Sequence, residues 1–168
     1  MPERVLSPRV AVYTGTFDPV HLGHLDLIAR CSRLFDRLIV GVGINPDKAT
    51  LFTIDERVQL LGSVTGGYGN VEIRPFTGLA VQFVRQVGAA LMVRGLRTLS
   101  DMEYEFTMSL MNLNLDPGIE TVFLMAKEEF SHVSSSLLRQ IAALGGNLSK
   151  FLPDPVKTAL VERARQQR

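Results

Sequence analysis

The sequence has one cysteine, no tryptophan and no long apolar run among its 168 residues. Cys31 has no second cysteine to pair with, which excludes a disulfide framework within the chain and fits a reducing compartment. Residues 1–8 lack the apolar run of a secretory signal. The densest apolar stretch, residues 38–44, contains two glycines and is far shorter than the roughly 20 residues that span a bilayer. We therefore expect a cytoplasmic protein without a transmembrane helix.

An excess of charge of one sign is also lacking. Lysine and arginine total 18, and aspartate and glutamate total 17, which leaves a formal net charge of +1. A chain so close to neutrality has no overall field to attract a nucleic-acid backbone or an anionic membrane, and we expect neither as a partner. Any anion that the protein binds must be held by a local group of residues.

The sequence does contain a regular alternation of apolar, β-rich segments with segments of helical periodicity. Predicted strands lie at 9–14, 37–44, 71–74, 90–94 and 121–125, and predicted helices at 22–34, 54–64, 79–87, 101–115, 135–144 and 155–166. This alternation predicts a single α/β domain over residues 1–168. The expected fold is a Rossmann-like, doubly wound, five-stranded parallel sheet in the order 3-2-1-4-5 with C-terminal helices.

Polar residues that can accept hydrogen bonds from free backbone N–H groups stand at the start of four predicted helices. They are Thr53 with Glu56, Ser100 with Glu103, Ser134, and Asp154 before Pro155. The first two pairs have the spacing of a capping box, in which the hydroxyl and the carboxylate each bind one N–H group.

Three methionines, Met102, Met108 and Met111, recur along the long fourth helix. Methionine is flexible and adapts to irregular gaps, so we interpret them as core filling. The alternative is that they form a wall for an extended apolar substrate.

The topology itself indicates where a ligand binds. In a sheet of this order, ligands lie beyond the carboxyl ends of the strands at the switch point, which here falls between strands 1 and 4. Residues 14–24 and 94–97 are the two segments that reach this point. We therefore expect the functional site to be built from them.

The first of these segments, from Gly15 to Pro19 and on into a helix start, has the features of an anion site. Gly15 lets the backbone approach a ligand, and Thr16 offers a hydroxyl and an N–H group. The helix N-terminus adds unpaired donors with a partial positive charge, so the segment predicts a phosphate site. Asp18 is interpreted as structural, holding the turn through its own side chain.

His21 and His24 stand three residues apart and therefore share one face of the first helix. Gly23, between them, is interpreted as leaving room for a bulky group against the backbone. The pair could instead ligate a metal, but no nearby cysteine or glutamate completes a ligand set. We interpret the histidines as part of the phosphate site.

Other residues supply positive charge or N–H groups. Arg94 and Arg97, at the end of strand 4, can form a fork around phosphate oxygens, with Gly95 permitting a tight bend between them. Ser134-Ser135-Ser136 opens a helix where hydroxyls and free N–H groups suit a polyphosphate. Lys48, in the loop after strand 2, is interpreted as a mobile phosphate ligand.

Several stretches, in order along nearly the whole chain, together resemble one enzyme family. They are 13–19 (Tyr-Thr-Gly-Thr-Phe-Asp-Pro), Gly23-His24, Phe52-Thr53, Glu56-Arg57, 94–97 (Arg-Gly-Leu-Arg), 103–105 (Glu-Tyr-Glu), 122–125 (Val-Phe-Leu-Met), 134–136 (Ser-Ser-Ser) and 151–153 (Phe-Leu-Pro). The chain resembles the bacterial phosphopantetheine adenylyltransferases, within the nucleotidyltransferase superfamily that is marked by [His/Thr]-x-Gly-His. Two positions depart from the family's pattern: Thr14 replaces a proline and His21 replaces a threonine.

The resemblance implies reversible adenylyl transfer from ATP to 4′-phosphopantetheine, giving dephospho-coenzyme A and pyrophosphate, a late step of coenzyme A biosynthesis, with Mg²⁺ carried on the nucleotide phosphates. It implies that His24 and Thr16 are catalytic. The implied acceptor-binding residues are Thr16, Lys48, Ala80 and Arg94. The implied ATP-binding residues are Thr16, Phe17, His24, Gly95, Leu96, Arg97, Glu105, Phe130, Ser131, His132, Val133, Ser134, Ser135 and Ser136. By the same resemblance, the chain forms a homohexamer and coenzyme A inhibits it.

Two other functions stay open from the sequence. His21 brings the first motif nearer to the nicotinate and nicotinamide mononucleotide adenylyltransferases, whereas Lys48 and residues 94–97 are not placed in this way in that family. A nucleotide-binding module without catalysis is the other alternative, because a fold alone does not establish activity. Retention of the set His24, Thr16, Lys48 and Arg97 favours an enzyme, since passive binding does not require it.

Overall fold

Five parallel strands form one sheet, and the computed structural model describes residues 5–44 and 49–166 of the chain. The strands are β1 (Ser7–Gly15), β2 (Arg37–Ile44), β3 (Val71–Thr77), β4 (Ala89–Leu96) and β5 (Glu120–Met125). Their order is β3-β2-β1-β4-β5 and every neighbouring pair is parallel, which confirms the predicted topology. β3 extends beyond its predicted end because the ladder continues through Pro75, which an edge strand tolerates.

The helices that connect these strands lie close to their predicted positions. They are α1 (Leu22–Leu34), α2 (Ile54–Thr65), α3 (Ala80–Gln86), α4 (Leu99–Leu115), α5 (Ser135–Ala143) and α6 (Asp154–Gln166). A short 3₁₀ turn, Glu128–Phe130, follows β5 and was not predicted. None of the helices in the described residues is long and apolar enough to cross a bilayer.

Apolar residues form a core on each face of the sheet, because successive strand residues point to opposite faces. Ala11 and Tyr13 of β1 face the larger core, which α1, α2, α5 and α6 cover. Val12 faces the smaller core together with Val84 of α3 and Met92 of β4. Since both faces of β1 and β4 are packed, the loops that leave their carboxyl ends start from fixed points.

Two of the predicted helix starts are confirmed by their hydrogen bonds. The Thr53 hydroxyl accepts from the Glu56 N–H at 3.3 Å, and the Glu56 carboxylate accepts from the Thr53 N–H at 2.8 Å. The Ser134 hydroxyl accepts from the Leu137 N–H at 3.3 Å. The last helix begins at Asp154, one residue before its predicted start.

The predicted capping box of Ser100 and Glu103 is wrong. Thr98 is the N-cap of α4, and its hydroxyl accepts from the Asp101 N–H at 3.2 Å. The Ser100 hydroxyl lies 2.9 Å from that of Thr98 instead of capping the helix. β4 continues to Leu96, and only Arg97 separates it from the extended backbone of Thr98, so the first cap available is used.

Helix α4 contributes no buried residue within one chain. The expectation that its methionines fill the core is therefore wrong: Met111 is 55% exposed, and Met108 is 38% exposed. Met102 is partly buried. Leu110 and Leu115 of the same helix are also exposed. Since α4 packs on β4 and β5 with one side only, it leaves an apolar surface on the described part of the chain.

Candidate active site

A cleft of about 290 Å³ opens at the carboxyl ends of β1 and β4, beside the first turns of α1 and α5. Both predicted segments contribute to it, so the structure brings them together at the switch point. The predicted site residues that line this cleft are His24, Arg94, Gly95, Arg97, Glu105, Phe130, Ser134, Ser135 and Ser136.

Three other predicted ATP residues are buried in the protein. Leu96 is 3% exposed, Val133 is 2% exposed and Phe17 is 2% exposed. Their side chains belong to the core, so these residues can meet a ligand only through their backbone atoms. Phe17 has a φ of 50°, a conformation that is uncommon for a residue with a Cβ atom.

Two more predicted ATP residues have their side chains bound to protein outside the cleft. The Ser131 hydroxyl donates to the Glu128 carbonyl at 2.9 Å. The His132 ring packs edge-on against the Phe151 ring, with centroids 6.0 Å apart. Lys48, the predicted mobile phosphate ligand, lies outside the described residues.

His21 and His24 form a capping box at the start of α1. The His21 N–H donates to Nδ1 of His24 at 3.2 Å, and the His24 N–H donates to Nδ1 of His21 at 3.4 Å. The two rings are stacked with their centroids 3.6 Å apart. Because each Nδ1 accepts a hydrogen bond, a neutral ring carries its proton on Nε2. His21 therefore caps the helix, which is also a common role of threonine.

The surroundings keep both imidazoles neutral. Burial, and then the charge of Arg97, lower the pKa of His21 to about 3. Burial, followed by His21, Arg97 and Arg94, lowers the pKa of His24 well below its usual value. At neutral pH the His24 Nε2–H is therefore an uncharged hydrogen-bond donor on a residue that lines the cleft.

Gly23 and Gly95, which line the cleft, also make room for packed protein atoms. A Cβ atom on Gly23 would lie 3.0 Å from Cε1 of His21 and 3.3 Å from Cβ of Phe130, which corrects the interpretation of Gly23. A Cβ on Gly95 would lie 2.5 Å from Cδ1 of Leu27. The predicted bend at Gly95 is wrong, because this residue lies within β4 and its lack of a side chain lets α1 pack closely.

Side chains from α2 and α5 bind three carbonyl oxygens of the loop between β1 and α1. The pairs are Thr16 with Arg57 at 2.7 Å, Pro19 with Ser135 at 2.8 Å, and Asp18 with Arg139. In a trans peptide the C=O and the N–H point in opposite directions, so the Phe17 N–H points away from Arg57. The loop is therefore held in a shape that can present N–H groups to an anion, as its sequence predicts.

Asp18 is structural, but it acts over a longer range than predicted. Its carboxylate accepts from the Leu51 N–H at 2.8 Å and from the Phe52 N–H at 2.9 Å, and the residue is 2% exposed. Asp18 thus fastens the loop after β1 to the segment that precedes α2. The turn that contains Asp18 is held instead by Arg139 and Ser135, which donate to the carbonyls of Asp18 and Pro19.

Arg94 is held by the residues around it. Its Nε and Nη2 donate to the Glu105 carboxylate at 2.7 and 2.6 Å, and its Nη1 donates to the Thr14 carbonyl at 2.8 Å and the Thr14 hydroxyl at 3.1 Å. Burial opposes its charge, but the hydrogen bond and charge of Glu105 outweigh this and raise the pKa of Arg94. Glu105 therefore orients Arg94 as well as lining the cleft.

Arg97 is fixed beside the start of α5. Its Nε donates to the Asp101 carboxylate at 2.9 Å, and its Nη1 donates to the Val133 carbonyl at 2.9 Å. Ser134 caps α5 through one N–H group, that of Leu137. The other N–H groups of that first turn have no partner within the helix, so a guanidinium and a helix N-terminus meet at one end of the cleft.

Two smaller depressions adjoin the cleft. One, of about 200 Å³, is lined by Ala80 and Met108 and shares Arg94 with the cleft. This depression lies on the predicted acceptor side, and Met108 forms part of its wall. The other, of about 270 Å³, is lined by Thr16 and shares Ser135 with the cleft. Thr16 therefore lies beside the cleft and not within its lining.

The described residues of the cleft do not make a resident metal site. The carboxylate of Asp101 is bound by Arg97, and that of Glu105 is bound by Arg94. No group of three histidine, cysteine, aspartate or glutamate side chains able to hold a metal ion occurs in the described ranges. The available donors are N–H groups and hydroxyls, which suit phosphate oxygens.

Sequence reasoning missed two residues that shape the site, namely Arg57 and Arg139. The stretch Glu56-Arg57 carries part of the family resemblance, which was the one signal for Arg57. Nothing local shows that an arginine in α2 or α5 reaches back to a loop after β1, because these contacts span 41 and 121 residues of sequence.

A family model and several curated relatives match most of this chain. A cytidylyltransferase-like family model matches residues 12–141. A phosphopantetheine adenylyltransferase of Rhodopirellula baltica is 56% identical over 158 residues, which cover 92% of this chain and 88% of that protein. Phosphopantetheine adenylyltransferases of Caldanaerobacter subterraneus and Thioalkalivibrio sulfidiphilus are 50% identical, over 92% of this chain and 97% of each relative. The chain belongs to the phosphopantetheine adenylyltransferase family.

A solved structure resembles this member of the phosphopantetheine adenylyltransferase family in fold alone. It is that of a Vibrio parahaemolyticus protein assigned as a nicotinate-nucleotide adenylyltransferase, with a TM-score of 0.63 and 17% identity over 90% of this chain and 97% of that one.

The two positions that depart from the family's pattern both have roles here. Thr14 offers Arg94 a hydroxyl that proline lacks, and His21 caps α1.

Proposed function

We propose that this chain catalyses reversible adenylyl transfer from ATP to 4′-phosphopantetheine, a late step of coenzyme A biosynthesis. The products are dephospho-coenzyme A and pyrophosphate. Membership of the phosphopantetheine adenylyltransferase family supports the reaction. The observation that carries the mechanism is the neutral His24 in a cleft that also contains Arg94, Arg97 and the start of α5.

The reaction is a single in-line displacement at phosphorus. An oxygen of the acceptor phosphate forms a bond to the α-phosphorus of ATP. At the same time the bond between the α-phosphorus and the oxygen that bridges it to the β-phosphorus breaks, and pyrophosphate leaves with the electron pair of that bond. No covalent intermediate with the protein is needed, so catalysis consists of positioning and charge stabilisation. His24 Nε2–H donates to a non-bridging oxygen of the α-phosphate, where negative charge builds.

The acceptor lies on the side of the cleft that Arg94 borders. Arg94 and Lys48 hold the acceptor phosphate, and the Thr16 hydroxyl and N–H orient it toward the α-phosphate. The depression lined by Ala80 and Met108 takes the pantetheine arm, because it shares Arg94 with the cleft. Sharing of Arg94 between Glu105 and a phosphate is favourable, since a guanidinium has five N–H donors.

The nucleotide lies on the opposite side of the cleft. Arg97 and the first turn of α5, at residues 134–136, bind the β- and γ-phosphates. Gly95, Leu96 and residues 130–133 border the adenosine, Leu96 and Val133 through their backbone and Phe130 at the cleft wall. Glu105 closes the pocket and keeps Arg94 in place.

Mg²⁺ is part of the proposed reaction as a companion of the nucleotide. When bound it screens the charge of the ATP phosphates and of the departing pyrophosphate. The carboxylates nearest the phosphates are already bound by arginines, so the chain binds the ion through the phosphates it holds.

The nicotinate mononucleotide alternative rested on His21. The capping box accounts for this histidine without any change of acceptor, because its Nδ1 serves the helix as a threonine hydroxyl does. A non-catalytic module would have no use for a neutral imidazole placed beside two arginines. Phosphopantetheine is therefore the proposed acceptor.

Assembly, inhibition and compartment complete the proposal. The homohexamer is what the family resemblance implies, and the apolar surface of α4, where Leu110, Met111 and Leu115 are exposed on the single chain, offers an interface for assembly. Coenzyme A carries the pantetheine and adenylyl parts of the product, so it can occupy the same cleft and inhibit. The single cysteine, which has no partner for a disulfide within the chain, fits a cytoplasmic protein.

A pyrophosphate-release assay tests the reaction. The chain is given ATP and Mg²⁺ with either 4′-phosphopantetheine or nicotinate mononucleotide. We expect release with the first acceptor only. Release with nicotinate mononucleotide at an equal or higher rate would refute the acceptor assignment, and no release with either would refute adenylyl transfer.

A substitution at His24 tests the mechanism. We expect His24→Ala to lower kcat by about two to three orders of magnitude, because one donor to the developing charge is lost. ATP binding, measured by calorimetry, should remain. His24→Gln, which keeps an N–H donor, should recover part of the rate. A kcat of His24→Ala near that of the unchanged chain would contradict the role of His24.

A further inference from the structure

Arg57, in the first turn of α2, is a buried arginine that the proposed mechanism does not use. The residue is 3% exposed, and its Nε has no hydrogen-bond partner within the described part of the chain. Burial lowers the pKa of Arg57, and the charge of Asp18 opposes this shift. Burial of a guanidinium with one nitrogen unsatisfied costs stability, so its retention calls for a gain elsewhere.

The contacts of Arg57 lie at the catalytic edge of the sheet. Its Nη1 donates to the Thr16 carbonyl at 2.7 Å and to the Gly43 carbonyl at 3.0 Å. Thr16 directly follows β1, and Gly43 is the last residue but one of β2. Because β1 and β2 are parallel neighbours, one side chain from α2 joins the ends of both strands.

The carbonyl that Arg57 binds belongs to the peptide between Thr16 and Phe17. A planar trans peptide directs its N–H opposite to its C=O, so fixing this carbonyl fixes the direction of the Phe17 N–H. Phe17 has a φ of 50°, which costs free energy and persists only where neighbours hold it. Its ring packs against that of His24, with centroids 4.9 Å apart, so a rotation of this peptide would also disturb His24.

We propose that Arg57 is a positioning residue for adenylyl transfer. It holds the Thr16–Phe17 peptide so that the Thr16 hydroxyl and the Phe17 N–H face the reacting phosphates. It acts through these two residues and touches no substrate. The inference rests on the proposed function.

The test compares Arg57→Met and Arg57→Lys with a matched arginine on α6. Arg163 also donates to a backbone carbonyl, that of Leu51 at 2.8 Å, but this carbonyl lies in the segment before α2. Arg163→Met therefore removes a similar contact elsewhere, together with the ion pair between Arg163 and Glu56. Steady-state kinetics and thermal unfolding are measured for all variants, with rates taken below each melting temperature.

We expect Arg57→Met to lower kcat per folded molecule by about tenfold to a hundredfold, because small displacements of reacting groups have effects of this size. The KM for ATP should change much less. Arg57→Lys, which keeps one donor group, should retain more activity than Arg57→Met, and Arg163→Met should lower the melting temperature without this loss of kcat. Loss of kcat in Arg57→Met no greater than in Arg163→Met would overturn the proposal.

A measurement without turnover separates the positioning role of Arg57 from the proposed adenylyl transfer. In ¹⁵N-labelled protein, inorganic pyrophosphate should shift the Phe17 amide resonance of the unchanged chain, and this shift should be smaller in Arg57→Lys. An equal shift in both proteins would overturn the role of Arg57, even if Arg57→Met does not fold. A shift that depends on Arg57 in a chain that releases no pyrophosphate from ATP would support the positioning role and refute the proposed function.

Discussion

Acid should destabilise this chain through its paired histidines, and His21→Thr should remove part of that effect. Burial lowers the pKa of His21 to about 3, whereas a histidine in an unfolded chain titrates near 6.5. Between these values the unfolded state binds more protons than the folded state. The free energy of unfolding therefore falls as the pH is lowered from about 6.5 toward 3.

The size of the effect follows from the gap between the two pKa values. At pH 5, which is about 1.5 pH units below the pKa of the unfolded histidine, that histidine is protonated while folded His21 is still neutral. The free energy of unfolding is therefore about 2 kcal/mol lower than at pH 7. Threonine caps the helix but does not titrate. Between pH 7 and pH 5, the free energy of unfolding of His21→Thr should therefore fall by about 2 kcal/mol less than that of the unchanged chain.

Urea unfolding at both pH values measures this difference directly. Protein concentration and ionic strength are kept equal, because assembly and salt both alter the apparent stability. His21→Ala is the control: it should be about 1 kcal/mol less stable than His21→Thr at both pH values, because the cap is lost, yet show the same reduced acid sensitivity. A pH-dependent difference below about 0.5 kcal/mol between the unchanged chain and His21→Thr would refute a neutral, buried His21.

Three other substitutions test the acceptor side, the packing of the sheet and the exposed surface. Arg94→Ala should raise the KM for phosphopantetheine by about tenfold or more with less effect on that for ATP, and an unchanged KM for phosphopantetheine would contradict the acceptor site. Gly95→Ala should lower the free energy of unfolding by about 1–3 kcal/mol because of the close approach to Leu27, and by less when it is introduced into a Leu27→Ala background; urea unfolding with no loss would contradict the packing argument. Met111→Glu should lower the mass found by light scattering, whereas an unaltered assembly would show that this part of α4 is not an interface.

The fold could be predicted from the sequence because it depends on periodicity and on a few chirality rules. Five apolar strands separated by helices permit few arrangements, and the order β3-β2-β1-β4-β5 is one of them. The start of α4 could not be predicted, since Thr98 with Asp101 and Ser100 with Glu103 have equally good local spacing. The choice between them depends on where β4 ends, which the sheet determines and the local sequence does not.

The identities of the residues at the site could also be predicted, but not how the protein holds them. The position of His24, Arg94 and Arg97 at the switch point follows from topology. Their partners come from distant segments: Glu105 orients Arg94 from α4, and Arg57 holds Thr16 from α2. The glycines were misinterpreted for the same reason, since the atoms that a Cβ would meet belong to other elements or to folded loops.

The near-neutral charge of the chain extends to the site itself. Arg94 is paired with Glu105, Arg97 with Asp101 and Arg139 with Asp18, so three arginines at or beside the cleft each have a carboxylate of the chain within 3.2 Å or less. The opposite charges of each pair largely cancel for a ligand that is far away. The pair still fixes the direction of the arginine N–H groups that the carboxylate does not bind. For these three arginines, discrimination in favour of phosphate then depends on the direction of their remaining donors, together with the neutral His24 and two helix N-termini, more than on unpaired positive charge.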